Sequence, residues 1–120
     1  MSEQSILGKL GEKLAVEFLK EKGYKIIATN WRFGKKEIDI IAKDGEYIVM
    51  VEVKTRSSDY FGEPEDSVTR RKQKYLVKAA NNFICKKNIN NETRFDVIGI
   101  VFDEGKPIFD HIIDAFYPTL

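Results

Sequence analysis

The chain has one cysteine, one histidine, one tryptophan and three prolines in 120 residues. A lone cysteine, Cys85, cannot close an internal disulfide, and a reducing compartment suits it. Flanked by Phe83 and Ile84, it reads as a packing or surface thiol rather than a nucleophile. The lone His111 lies among Ile112 and Ile113, far from any nucleophile motif, so a structural role is favoured over a Ser-His-Asp or Cys-His set. Zinc-ligand spacings and phosphate-binding glycine motifs are absent. No apolar run approaches the ~18–20 residues of a membrane span, and the N-terminus does not resemble a secretory signal. A cytoplasmic protein without membrane attachment is therefore expected. Repeats, low-complexity tracts and Pro/Gly/Ser linkers are missing too, which leaves one domain over residues 1–120, with Asn88–Asn91 as its flexible connection. A net charge of +1 neither demands nor excludes nucleic acid.

What is present is an ordered set of periodic segments. Leu7, Leu10, Leu14 and Phe18 recur at helical spacing and predict a first helix from Ser5 to Lys22, ended by Gly23. Tyr24 to Trp31 reads as a strand, and Glu37 to Ala42 and Tyr47 to Lys54 read more strongly so. Asp44-Gly45 between the last two is a hairpin signal. A loop from Thr55 to Asp66 precedes a second helix marked by Val68, Leu76, Ala79, Ala80 and Phe83 and ending near Lys87. Arg94 to Phe102 and Ile108 to Phe116 are the last strands, joined by a turn with Gly105 and Pro107. The expected fold is α/β in the order α-β-β-β-α-β-β. The helical crossover makes the third and fourth strands candidates for parallel pairing in a mixed sheet.

Carboxylates inside two of these strands are the informative feature. Glu37 and Asp39 lie among isoleucines, and Glu52 and Lys54 alternate with Val51 and Val53. A buried charge costs several kcal/mol unless it is paired or binds a cation. With Asp44-Gly45 as a two-residue turn, Lys43 pairs with Glu46, Asp39 with Met50 and Glu37 with Glu52. Side-chain alternation then puts all four charged groups on one face. Asp39 and Glu52 become diagonal neighbours roughly 7–8 Å apart, a separation two carboxylates can span around one ion. Glu12, on the flank of the first helix beside Gly8, Gly11 and Ala15, is expected to approach them. Two helical glycines cost ~1 kcal/mol each, and close packing on the sheet would offset that.

Asp39 and Glu52 suit Mg²⁺ or Mn²⁺, with a backbone carbonyl near Val53 as a further ligand. Such an ion would orient and acidify a water, and Lys54 could steady the attacking water or the transition state of phosphodiester hydrolysis. The bland alternative is a structural Glu52–Lys54 ion pair with the other acids on the rim. Arg70, Arg71 and Lys72 open the second helix, although cations are disfavoured there, and make an anion seat. Lys72 continues the row of Leu76, Ala79 and Phe83 and should point at the sheet; Arg70, Arg71, Lys74 and Lys78 should face solvent or a polyanion. Trp31 reads as core; Tyr60 and Phe61 could equally stack on bases.

These residues together resemble the PD-(D/E)xK nuclease superfamily, and within it the YraN-like bacterial family, which is similar to archaeal Holliday-junction resolvases. The resemblance rests on Gly8, Gly11, Glu12 and Ala15; Asn30-Trp31-Arg32; Glu37-Ile-Asp39-Ile-Ile; Val51-Glu52-Val53-Lys54-Thr55-Arg56; and Phe61-Gly62, Lys72-Gln73, Ala80, Arg94-Phe95-Asp96 and Ala115-Phe116. It implies a three-layer restriction-endonuclease-like fold and Mg²⁺- or Mn²⁺-dependent cleavage of structured or branched DNA. Glu12, Asp39 and Glu52 would be metal-site acids and Lys54 the catalytic lysine. Lys72 and Gln73 would be auxiliary, with Arg32, Arg56, Arg70 and Arg71 further candidate nucleic-acid contacts. A homodimer would fit a resolvase, which makes two symmetric cuts. The family usually has glycine where this chain has Lys36. Two rivals stay open: a nucleic-acid-binding or adaptor protein that keeps the fold without cutting, and a structural acidic cluster facing a protein partner.

Overall fold

The first helix, α1 (Glu3–Glu21), stops where Gly23 takes a φ of 92°. The N–H of Tyr24 then bonds to the carbonyl of Leu19 and that of Gly23 to Lys20, a Schellman closure that only a left-handed residue permits at little cost. The computed structural model of the chain describes residues 3–56 and 68–117. After α1 come β1 (Lys25–Phe33), β2 (Lys36–Asp44), β3 (Tyr47–Arg56), α2 (Arg70–Lys87), β4 (Thr93–Asp103) and β5 (Lys106–Ile112). Thr55 and Arg56, expected to lie at the start of the loop or at its edge, still pair with β4 as part of β3. Tyr60, Phe61, Gly62 and Pro64 lie outside the described residues.

The five strands form one mixed sheet in sequence order, with β3 and β4 parallel and the other neighbours antiparallel. The parallel pair is the one that α2 connects. One helix covers each face. Ala15 and Leu19 of α1 pack with Ile40, Val49, Val51, Ile98 and Ile100. Leu76, Ala79 and Phe83 of α2 pack on Ile41, Met50, Phe95 and Val97 of the other face. The result is a three-layer α/β fold with a mixed five-stranded sheet.

Helix α2 begins at Arg70, where Arg70, Arg71 and Lys72 were expected to open it, and the Thr69 hydroxyl caps it by accepting the N–H of Lys72. Two other details differ from the sequence expectation for local reasons. Strand β5 ends at Ile112, since Asp114 is left-handed (φ 59°) and Ala115 N–H turns back to the carbonyl of Phe95. The buried stripe of α1 runs through Gly11, Ala15 and Leu19, with Leu7 and Leu10 left 37% and 45% exposed. Small residues win that face because the helix lies close on β3. A Cβ added to Gly11 would collide with Thr55 Oγ1, whereas one on Gly8 would meet nothing within 4 Å. Close packing therefore accounts for Gly11 but not for Gly8.

Candidate functional site

The β2–β3 hairpin turns on Gly45 and Glu46, with Gly45 at φ 57°. Asp44 thus ends a strand opposite Tyr47, and Lys43 faces Ile48, Ile41 faces Met50 and Ile40 faces Val51. The expected turn, Asp44-Gly45, is one residue out on each strand. Every expected pair is therefore displaced by two, so Met50 faces Ile41 rather than Asp39, and the side-chain parity is kept only as far as Ile40 and Val51.

Pairing between β2 and β3 stops at Ile40 and Val51, although both strands continue. Past this point β2 stays with β1 and β3 with β4, so the sheet forks. The β1–β2 register sets Asn30 opposite Asp39, and Asn30 is left-handed (φ 51°). Alternation breaks here: Ile38 and Ile41 both pack toward α2, but Ile40 packs toward α1. The expected single flat face is therefore replaced by a fork. Asp39 turns toward α1, while Glu52 continues the α2-facing row of Ile48 and Met50.

Glu12, Asp39 and Glu52 line the cleft at this fork. Asp39 Oδ2 accepts the N–H of Val53 at 2.8 Å, replacing a strand-to-strand bond that the fork removes. Glu52 is buried, and its Oε1 lies 3.5 Å from Lys54 Nζ and 3.4 Å from Lys72 Nζ. Its Oε2 is buried without a hydrogen-bond partner, alone in that respect among the side-chain atoms of the described residues. Glu12 Oε2 accepts from Asn30 Nδ2 at 3.1 Å. Burial raises the pKa of Asp39 to about 8, and the neighbouring charges of Glu52 and Glu12 add to the rise against the Val53 N–H.

A cleft of about 370 Å³ opens on Glu12, Asp39, Glu52, Lys54, Thr55 and Arg56. A second, of about 540 Å³, shares Glu12 and Asp39 and continues past Asn30 and Glu37 to Lys9 and Lys13. Among the described residues no three His, Cys, Asp or Glu side chains close into a group able to hold a metal ion. The donors that fit a hard divalent cation are the Asp39 and Glu52 carboxylates, one with its charge opposed by burial, the other with an oxygen left without a partner. Glu12 stands behind Asp39, held by Asn30.

The other sequence candidates separate. Lys72 points into the sheet, at Glu52. Gln73 does not reach the cleft; its Nε2 donates to the Val68 carbonyl at 3.1 Å, at the start of α2. Arg56 lines the cleft, while Arg32 is exposed on β1 opposite Glu37. Arg70 and Arg71 are exposed on α2. Trp31 packs edge-on against Phe83 at 5.4 Å between ring centres, a core contact.

One buried charge network was not anticipated. Arg94 donates through Nε and Nη2 to Asp96 at 2.9 and 3.0 Å, through Nη1 to Asp44 at 2.9 Å and through Nη2 to the Tyr24 hydroxyl at 2.7 Å. His111 Nε2 lies 2.7 Å from Asp96 Oδ2, and the Asp114 N–H donates to Oδ1 at 3.0 Å. Lys22 Nζ, which can only donate, sits 2.7 Å from His111 Nδ1, so the ring's proton faces Asp96. Burial alone would raise the pKa of Asp96, but the bonds from His111, Arg94 and Asp114 hold it below the usual carboxylate range. The sequence signal was available: Arg94-x-Asp96 in an apolar strand has the same form as Glu52-x-Lys54.

Residues 11–100 match the model of the uncharacterised protein family UPF0102. The chain is 49% identical over 117 residues to a UPF0102 protein of Flavobacterium psychrophilum, covering 98% of each. A UPF0102 protein of Bacteroides thetaiotaomicron is 44% identical over 120 residues, 100% of this chain and 99% of its own. One from Thermodesulfovibrio yellowstonii is 51% identical over 111 residues, 92% of this chain and 96% of its own. Matched over its core by the family model and over nearly its whole length by these relatives, the chain belongs to the UPF0102 family.

Proposed function

We propose that this protein is a divalent-metal-dependent endonuclease that hydrolyses phosphodiester bonds in structured or branched DNA. The single observation that carries the reading is Glu52: a buried carboxylate with one oxygen between two lysines and the other without a partner, facing Asp39 across a strand fork. Asp39 and Glu52 would hold Mg²⁺ or Mn²⁺, which supplies an acidified water and shields charge on the scissile phosphate. Glu12 supports Asp39 from α1. Lys54, at the cleft wall, would orient the water or the developing negative charge, and Lys72 would add a second cation from α2. The D-x(12)-E-x-K spacing and the three-layer α/β fold accord with a restriction-endonuclease-like arrangement and with the resolvase resemblance. A homodimer would present two such clefts for paired cuts.

A second reading has its own observation. Two lysines already neutralise Glu52, and the three acids do not close together, which favours a nucleic-acid-binding adaptor that keeps the fold without cutting. Incubation of the purified protein with Mg²⁺ or Mn²⁺ and duplex, flap and four-way-junction DNA separates the two. Cleavage lost in both Asp39→Asn and Lys54→Ala supports the nuclease. Cleavage that survives both substitutions removes the fork as its site, and binding without cleavage promotes the adaptor.

A further inference from the structure

Helix α2 carries seven Lys or Arg residues between Arg70 and Lys87 and no Asp or Glu, in a chain with 19 acids. Its polar residues divide by direction. At about 100° per residue, Leu76, Ala79, Ala80 and Phe83 define the buried side, and Arg70, Arg71, Lys74 and Lys78 centre roughly 180° from it. All four are exposed, and none of their side chains has an ion pair or hydrogen bond among the described residues. Together with Tyr75 they line a groove of about 430 Å³. An ordinary solvated helix face mixes signs at i,i+4. Here Arg70–Lys74 and Lys74–Lys78 are like-charge pairs, and Arg70 and Arg71 also oppose the helix dipole.

We propose that this outward face of α2 is a second nucleic-acid contact, a phosphate-binding track for a duplex that is independent of the metal site. A line of cations without acids suits the backbone of a polyanion and carries no sequence information. Single-strand binding would need exposed aromatic platforms. The one ring here, Tyr75, is tied by its hydroxyl to the Phe33 carbonyl at 2.8 Å and has Lys36 and Lys72 against it. A membrane surface would need apolar side chains to insert, but Val77 and Ile84 pack into the core instead. The track points away from the sheet, while Lys72 of the same helix points into the fork. A protein with both can hold one segment of nucleic acid while another lies in the cleft. The proposal needs neither metal nor cleavage and so goes beyond the nuclease reading.

The test is fluorescence anisotropy with a labelled DNA duplex in EDTA, across a salt series. Replacing Arg70, Lys74 and Lys78 together by Gln should weaken binding at least about tenfold and reduce the slope of log K against log salt by about 2.7, near 0.9 for each phosphate left without its cation. Lys86→Gln with Lys87→Gln, at the far end of the helix, should change little. Wild-type binding by the triple variant, or equal weakening in both variants, overturns the proposal. So does a triple variant that loses retention on phosphatidylserine vesicles or polyglutamate while keeping duplex affinity. Binding in EDTA is read without metal or cleavage, so absence of cleavage leaves this result readable by itself.

Discussion

Asp39 accepts the backbone N–H of Val53 at 2.8 Å, at the point where β2 and β3 part. The bond does two things at once. It satisfies a donor that strand pairing has abandoned, and it fixes one carboxylate oxygen beside the residue that follows Glu52. The fork is thereby stabilised by the acid it exposes. Because Asn30, opposite Asp39, also holds Glu12, three elements converge on one position of β2.

Metal-free protein should become less stable as pH rises toward 8. The Asp39 carboxyl is raised from an ordinary 3.8 to about 8 in the fold, chiefly by burial and by Glu52. The folded state therefore holds a proton that the unfolded chain has already lost. This contribution is fully present below about pH 4 and is lost as pH climbs through about 8. Melting temperature measured from pH 5 to 9 in EDTA should fall more steeply for wild type than for Asp39→Asn. Saturating Mg²⁺ should flatten the wild-type curve at its alkaline end. Parallel curves for the two proteins would contradict the assignment.

Glu52→Gln should abolish stabilisation by Mg²⁺ or Mn²⁺ without unfolding the protein, since the amide removes the charge but keeps the shape. Lys72→Ala should lower stability by about 1–3 kcal/mol in EDTA, because a buried carboxylate loses one of its two cations. A bound divalent ion should recover part of that loss. Thermal shifts with and without metal measure both. A Glu52→Gln protein that still gains stability from the metal would place the ion elsewhere.

The type and order of the elements were legible because their periodicity is strong, and the parallel β3–β4 pair followed from the length of α2. The hairpin was legible in Asp44-Gly45, but its register was not. With Gly45 and Glu46 in the turn, Asp44 ends a strand and its carboxylate reaches Arg94, fifty positions away in the chain. Asp39, Glu52 and Lys54 stood out because charge is costly among β-branched neighbours. Their meeting in a fork did not, since it depends on a left-handed Asn30 that no local pattern announces. Leu7 and Leu10 share the helical spacing but stay outside the core, because helical spacing reports a stripe, not which of two adjacent stripes lies against the sheet. Gly11, seated against Thr55, decides that.

Gly11→Ala tests the close approach directly. Helix propensity alone would favour alanine by about 1 kcal/mol. The collision with Thr55 Oγ1 should reverse the sign and destabilise by about 1–3 kcal/mol. Gly8→Ala, in open space, should stabilise by about 0.5–1 kcal/mol. Adding Thr55→Ala to Gly11→Ala removes the obstructing oxygen and should restore much of the stability. Urea denaturation of the four proteins reads the pattern, and equal effects at Gly8 and Gly11 would mean that α1 does not seat on β3 through Gly11.

Asp96 should prove a stability residue and not part of the cleft. Its carboxylate takes two bonds from Arg94, one facing His111 and one from the Asp114 N–H, all in a buried setting. Asp96→Asn keeps the volume but leaves the Arg94 charge poorly compensated, and should cost about 3–5 kcal/mol. Since the fold holds this carboxyl below its ordinary pKa, its contribution is present above the unfolded value near 3.8 and is lost as pH falls through the lower folded one. Acid unfolding should therefore begin at higher pH in Asp96→Asn than in wild type. Mg²⁺-dependent stabilisation, measured where the variant is still folded, should be unchanged, because Asp39 and Glu52 keep their positions at the fork. Loss of the metal response at full helicity would instead tie the network to the cleft, and a cost below about 1 kcal/mol would show that Arg94 is satisfied by Asp44 and Tyr24 alone.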